Sequence, residues 1–179
     1  MRIIGGKLKR KKLGPVPGQG IRPTADRVRE SIFNILAPSV GQAVVLDLFA
    51  GSGNISLEFL SRGCSSVTTV EISRKYSFHI KNVIEELFPG KSNVLSQDAV
   101  KFCKNAELDF DLIFADPPYS SKQTEDLPKF IFDNESLKES CVVIIEHPKE
   151  IDYKDCNYFS ETRRYGNVNF SIFKKRINI

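Results

Sequence analysis

Strand-like runs at 44–49, 66–71, 93–96, 110–115 and 141–146, the first of them apolar but for Asp47, alternate with stretches whose apolar residues recur at helical spacing. Strands apolar on both faces are buried on both sides, and strand–helix alternation joins such strands in parallel. The chain is therefore expected to be α/β, a mostly parallel sheet covered by helices. Helices are expected near 54–61, 74–87, 99–104 and 127–132. Tyr76, Ile80, Val83, Ile84 and Leu87 make the clearest apolar face, stopped by Pro89-Gly90. A first helix is expected over 25–36, capped by Thr24, carrying Val28, Ile32, Ile35 and Leu36 on one side and ended by Pro38. The tail differs. Segments 158–165 and 168–174 flank Gly166-Asn167, a hairpin signal, so the sheet should close in an antiparallel pair.

A chain of 179 residues suits one domain with a full core. No apolar run approaches the roughly 18 residues of a membrane span. The basic N-terminus lacks the apolar core and cleavage site of a signal peptide, so a cytoplasmic protein is expected, with no membrane partner. Cys64, Cys103, Cys141 and Cys156 form no close pair and read as reduced, inert thiols. With His79 and His147 the only histidines, no metal is expected. The net charge of +4 is unevenly spread. Residues 1–30 carry nine basic side chains against two acidic, and the remainder carries 17 against 20. A basic arm, residues 1–22, before a body of 23–179 suggests a polyanionic partner. Arg2, Lys7, Lys9, Arg10, Lys11, Lys12, Arg27 and Arg29 are its candidate phosphate contacts; the alternative is a solvated tail. Residues 2–13 read as a small strand pair turning at Gly5-Gly6 or a loose arm, followed by a Pro15–Gly20 loop.

Asp47-Leu48-Phe49-Ala50-Gly51-Ser52-Gly53 lies where the first parallel strand meets its helix, the place where open α/β sheets bind ligands. Glycines let the backbone approach a ligand, and the helix N-terminus offers N–H groups to an anion. A dinucleotide fingerprint would need a third glycine where Ser56 stands, and the lysine and hydroxyl of a phosphate loop are absent. The expected anion is smaller, the carboxylate of an amino-acid-like cofactor. Glu71 ends the second strand, where a carboxylate can accept both ribose hydroxyls. Asp98 follows the third strand, where an acceptor could meet an adenine amino group. Taken singly, Glu71 could be a surface acid and Asp98 a helix cap. The ordered set points to S-adenosylmethionine, with Phe49, Ser52, Ile72 and Ala99 flanking the same contacts.

Asp116-Pro117-Pro118-Tyr119 follows the fourth strand. Two prolines fix the backbone and remove two donors, leaving carbonyls and a carboxylate to face a pocket. An aromatic amine such as guanine N2 is a poor nucleophile because its lone pair is delocalised into the ring. The Asp116 carboxylate and the Pro117 carbonyl can hold its two hydrogens, favouring a pyramidal nitrogen aimed at a methyl sulfonium. Tyr119 can stack on an unpaired or flipped base. Alone, the tetrapeptide could be a plain proline turn.

Arg22-Pro23-Thr24, Arg27-Val28-Arg29-Glu30 and Phe33-Asn34, with the glycine turn, the Asp-Pro-Pro-Tyr turn and the opening Arg2-Ile3-Ile4-Gly5-Gly6, resemble the bacterial RsmD family. Those enzymes methylate guanine N2 in small-subunit (16S) ribosomal RNA. The resemblance implies a Rossmann-like methyltransferase fold of seven strands with an antiparallel C-terminal hairpin. It implies cofactor contacts at Asp47, Gly51, Gly53, Glu71 and Asp98, a cover over the cofactor from Arg22, Pro23 and Thr24, and Asp116 through Tyr119 at the target base. The partner would be ribosomal RNA or a small-subunit particle. Ile72-Ser73-Arg74-Lys75 departs from the family pattern, which leaves any contact from Ser73 open. The alternatives are an amino-methyltransferase acting on DNA or on a protein glutamine, or a non-catalytic RNA-binding protein on the same scaffold.

Overall fold

The computed structural model describes residues 2–16, 26–118 and 123–175. Its elements are α1 (Asp26–Val40), β1 (Val44–Leu48), α2 (Asn54–Ser61), β2 (Ser66–Val70), α3 (Arg74–Leu87), β3 (Ser92–Leu95), α4 (Ala99–Asn105), β4 (Leu112–Ala115), α5 (Gln123–Phe132), β5 (Val142–Pro148), β6 (Phe159–Tyr165) and β7 (Val168–Lys174). They build one seven-stranded sheet in the order β3-β2-β1-β4-β5-β7-β6. The first five of those strands run parallel, and β7 lies antiparallel between β5 and β6. The α/β class, the strand count and the closing hairpin are as the sequence suggests.

Strand side chains alternate between faces, so each strand feeds two cores. On one face Val45, Val67, Leu112, Phe114, Ile144 and Phe170 pack under α1, α2 and α3. On the other, Leu46, Leu48, Ile113, Ile145 and Phe173 pack under α4 and α5. A chain of rings threads the first core: Phe33 meets Phe59 at 4.8 Å between centroids, Phe59 meets Phe114 at 6.5 Å, and Phe114 meets Phe170 at 6.3 Å. The first two pairs are edge-on and the third tilted at 39°; edge-on packing adds about 0.5–1.5 kcal/mol per pair beyond area burial.

Several boundaries move: β4 begins at Leu112, β5 runs on to Pro148 and α5 begins at Gln123, and two further shifts have a clear local cause. Pro38 does not end α1, which runs to Val40. A proline in the last turn forfeits one backbone bond, and Val40, 2% exposed in the core, draws the helix onward. The first strand stops at Leu48, because Phe49 has φ +58°, outside the extended region.

The N-terminal arm is held down. Its pairing reduces to one bridge, Arg2 with Lys12, and the turn spans Gly6 to Lys11 rather than Gly5-Gly6 alone. Ile3 is 1% exposed in the α1–α2–α3 core. The N–H groups of Ile4 and Gly5 donate to the buried Glu58 carboxylate, and those of Lys7 and Leu8 to the Ser61 carbonyl and hydroxyl. Gly6 has φ +72°, and a Cβ there would stand 1.9 Å from the Ser61 carbonyl oxygen, so only glycine lets the arm lie this close. The expected division near residue 22 falls in 17–25, outside the described residues.

Candidate functional site

The glycine turn sits at the carboxyl edge of β1. The Ala50 N–H donates to the Val70 carbonyl and the Gly53 N–H to Ala50, closing the loop before α2 begins. Gly53 has φ +77°, and a Cβ would meet the Ile80 side chain at 2.8 Å, so the turn and α3 touch there without a side chain between them. Below the turn, Asp47 is 1% exposed and accepts from the Ser56 hydroxyl, which also contacts Thr69 at 2.8 Å. Burial raises the Asp47 carboxyl to about 7, against the opposing help of Ser56. Asp47 thus braces the turn from inside the sheet, directly beneath the edge where a cofactor contact was expected of it.

Glu71 leaves β2 and reaches the turn. Its Oε2 accepts the Gly51 N–H at 2.8 Å and its Oε1 accepts the Ser73 N–H at 2.8 Å. Each carboxylate oxygen retains a second lone pair for a hydroxyl. Ile72 beside it is an apolar side chain left 68% exposed. Ser73 caps α3, accepting from the Tyr76 N–H. Asp98 caps α4, its Oδ1 accepting from the Lys101 N–H at 2.8 Å, with Ala99 buried behind it.

Beyond β4, the Asp116 N–H donates to the Leu48 carbonyl at 3.4 Å, which binds the proline turn to β1. Pro117 is buried and Pro118 exposed, and the Thr124 hydroxyl donates to the Pro118 carbonyl. Asp116 is partly exposed and hydrogen-bonded to Glu146 on β5. Its carboxyl is held well above the ordinary carboxylate range by desolvation, then by the charges of Glu146 and Asp47. Glu146, 5% exposed at the end of a buried strand, is a site residue the sequence reading missed. Its signal was a lone acid closing the apolar run Val142–Ile145.

The site thus gathers Gly51, Gly53, Glu71, Asp116 and Glu146 at one edge of the sheet, over Asp47. This set fits S-adenosylmethionine, whose sulfonium and ammonium groups are cationic: Glu71, Asp116 and Glu146 bring carboxyl groups to that edge. Among the described residues the buried Oδ1 of Asn54, the first residue of α2, has no hydrogen-bond partner, and a cofactor ammonium would satisfy it. Arg22, Pro23, Thr24 and Tyr119 lie outside the described residues.

The basic residues divide. Lys7, Lys9, Arg10, Lys11, Lys12 and Arg27 are exposed. Arg2 is exposed but paired with Asp26 at 2.7 Å. Arg29 is the correction: it is 3% exposed, bound to Asp26 and to the Arg2 carbonyl, with Glu58 at 3.9 Å. A buried guanidinium holding the arm to α1 is closed to an RNA phosphate.

The family model described as "Conserved hypothetical protein 95" matches residues 1–174. The chain is 37% identical over 151 residues to ribosomal RNA small subunit methyltransferase D of Escherichia coli, covering 84% of this chain and 76% of that protein. It is 34% identical over 183 residues to YlbH of Bacillus subtilis, covering 98% and 100%. Among solved structures, the Escherichia coli protein yhhF superposes with a TM-score of 0.85 at 33% identity, covering 98% of this chain and 97% of that one. An RNA methyltransferase from Salinibacter ruber, bound to S-adenosyl-L-homocysteine, shares the fold with a TM-score of 0.69 at 16% identity, covering 88% and 96%.

Proposed function

The chain belongs to the ribosomal RNA small subunit methyltransferase D family, and from that premise we propose that it transfers a methyl group from S-adenosylmethionine to the exocyclic N2 of a guanine in small-subunit ribosomal RNA. One observation carries the proposal. The Asp116-Pro117-Pro118 turn leaves β4 at the same sheet edge as the glycine turn of β1, tied to it by the bond from the Asp116 N–H to the Leu48 carbonyl. A carboxylate that holds an amine and a loop that holds a methyl donor thus lie side by side.

The cofactor supplies a methyl group on an electrophilic sulfonium. Gly51 and Gly53 allow the backbone to approach it, Glu71 accepts its hydroxyls, and Asp98 with Ala99 borders its base, while Ile72 packs on that base. Arg22, Pro23 and Thr24 are assigned to its cover, and Phe49 and Ser52 to the turn beneath. Asp116 accepts one hydrogen of the target amine and the Pro117 carbonyl the other; the Pro118 carbonyl is already committed to Thr124. Two acceptors on one nitrogen direct its lone pair out of the ring plane. Tyr119 is assigned to stacking on the base. The exposed cations Lys7, Lys9, Arg10, Lys11, Lys12 and Arg27 hold RNA phosphates, and the enzyme works in the cytoplasm where that RNA is found.

Single-turnover transfer to small-subunit RNA or particles, with cofactor saturating, tests this. Asp116→Ala should lose on the order of a hundred- to a thousandfold in rate, the cost of one preorganised electrostatic partner. Calorimetry should find its cofactor affinity unchanged. A near-normal rate in that variant returns the turn to a purely structural role.

A further inference from the structure

We propose that Glu146 is a positioning residue for the methyl transfer, holding the Asp116 carboxyl by a hydrogen bond and accepting, jointly with it, the proton that the target nitrogen gives up. The inference rests on the assignment of Asp116 to the amine.

The geometry follows from register. Ala115 of β4 pairs with Ile145 of β5, so the next residues, Asp116 and Glu146, stand side by side. Alternation puts Asp47, two residues past Val45, on the same face, as it does Asp116 past Phe114 and Glu146 past Ile144. Three carboxyl groups from adjacent strands β1, β4 and β5 therefore converge beneath α1 and α2. Asp116 and Glu146 are joined by a hydrogen bond, and the charges acting on Asp116 are both acidic, Glu146 and Asp47. Glu71 faces Asp47 from β2. From β7, Glu146 is paired with the apolar Phe170.

Adjacent carboxyls in such a place cannot all ionise; they share a proton and titrate as a unit. The shared proton makes one carboxyl a donor to the other, which fixes the Asp116 rotamer and leaves its outer oxygen turned toward the cleft. A well-packed apolar residue at 146 would stabilise the fold as well or better, since burying charge is costly. An acid there instead gives Asp116 something an apolar neighbour cannot give: a fixed orientation and a second proton-accepting oxygen pair. During transfer the nitrogen lone pair forms the N–CH3 bond while the methyl–sulfur bond breaks and its electron pair stays on sulfur. The nitrogen, now positive, sheds one proton to the Asp116–Glu146 pair, which passes from one proton to two. The extra proton leaves to water as product departs.

The test is the pH dependence of single-turnover rate, with cofactor saturating, for wild type, Glu146→Gln and Glu146→Ala, beside their cofactor affinities. Wild type should lose rate on the alkaline side as the pair gives up its last proton and the hydrogen bond with it. Glu146→Gln supplies a permanent N–H donor, so it should stay within roughly tenfold of wild type at neutral pH, the worth of one hydrogen bond, and lose that alkaline fall. Glu146→Ala should lose roughly a hundredfold at neutral pH, a cost typical of misplaced reacting groups, and should lack the alkaline fall, with cofactor affinity unchanged. If both variants keep the wild-type rate and pH profile, Glu146 positions nothing. If both lose rate equally with the alkaline fall intact, its role is structural. Should Glu146→Ala fail to fold, the profile of the near-isosteric Glu146→Gln decides. Asp116→Ala, measured alongside, separates the two proposals: a normal rate there removes the premise, whereas a normal rate only in the Glu146 variants removes this inference.

Discussion

At the scale of single residues, the site's acids have different tasks set by their surroundings. Asp47 is sealed in and lifted to about 7 by burial, so in the folded protein it holds its proton well above the pH at which it ionises in the unfolded chain. The sign follows: between about pH 4 and 7 the folded state binds the extra proton, and stability falls as pH rises through that window. A tenfold difference in one group's proton affinity between the folded and unfolded states is worth about 1.4 kcal/mol. Asp47→Asn keeps an acceptor for Ser56 and removes the titration. Urea midpoints of that variant should therefore decline less than those of wild type from pH 4 to 7; parallel curves would mean that Asp47 is not so perturbed. Glu71 ties Gly51 and Ser73 together by their N–H groups. Glu71→Ala should weaken cofactor binding at least tenfold, because hydrogen bonds to a charged group are worth about 1.5–3 kcal/mol each. Unchanged affinity by calorimetry would overturn its assignment to the ribose.

At the scale of elements, contacts between segments far apart in sequence decide what propensity cannot. The parallel strands, their helices and the glycine turn were legible because each carries its own periodicity or turn chemistry. The arm was not. Its fixed position comes from Glu58, an acid inside the apolar α2 sequence Leu57–Leu60, which is 0% exposed and bound by Ile4, Gly5 and Arg62. No local pattern in residues 2–13 announces a partner more than fifty positions away. Arg29 misled for the same reason: a cation in a basic segment reads as surface until Asp26 and Glu58 are seen around it. Pro38 misled by a local rule that core packing at Val40 overrides. In the candidate site, Gly51, Gly53, Glu71 and Asp116 stood out by spacing after successive strands, whereas Glu146 needed the β4–β5 register to become meaningful. Gly6→Ala tests the arm's docking directly. A Cβ would collide with the Ser61 backbone, so the arm should lift, and trypsin should cut at Lys7–Lys12 faster than in wild type while the sheet's own unfolding is little changed. Equal cleavage rates would show that the arm tolerates the clash by local adjustment.

At the scale of the whole molecule, the charge is arranged as function requires. Exposed cations gather on the docked arm and the start of α1, whereas the cleft at the sheet edge is acidic, suited to a cationic donor and to a proton leaving an amine. Binding to RNA should depend steeply on salt, with about 0.7–0.9 in the logarithmic slope for each phosphate neutralised. Replacing Lys9, Arg10, Lys11 and Lys12 by alanine should flatten that slope and leave cofactor affinity alone. A slope that does not move would make the arm a solvated decoration. The central claim, that the cleft methylates guanine N2 in small-subunit RNA, is tested most directly by mass analysis of nucleosides from that RNA after incubation with the chain and S-adenosylmethionine. The expected product is N2-methylguanosine, formed by wild type and on the order of a hundred- to a thousandfold more slowly by Asp116→Ala. Methyl groups found on adenine, cytosine or protein instead, or none on RNA, would contradict it.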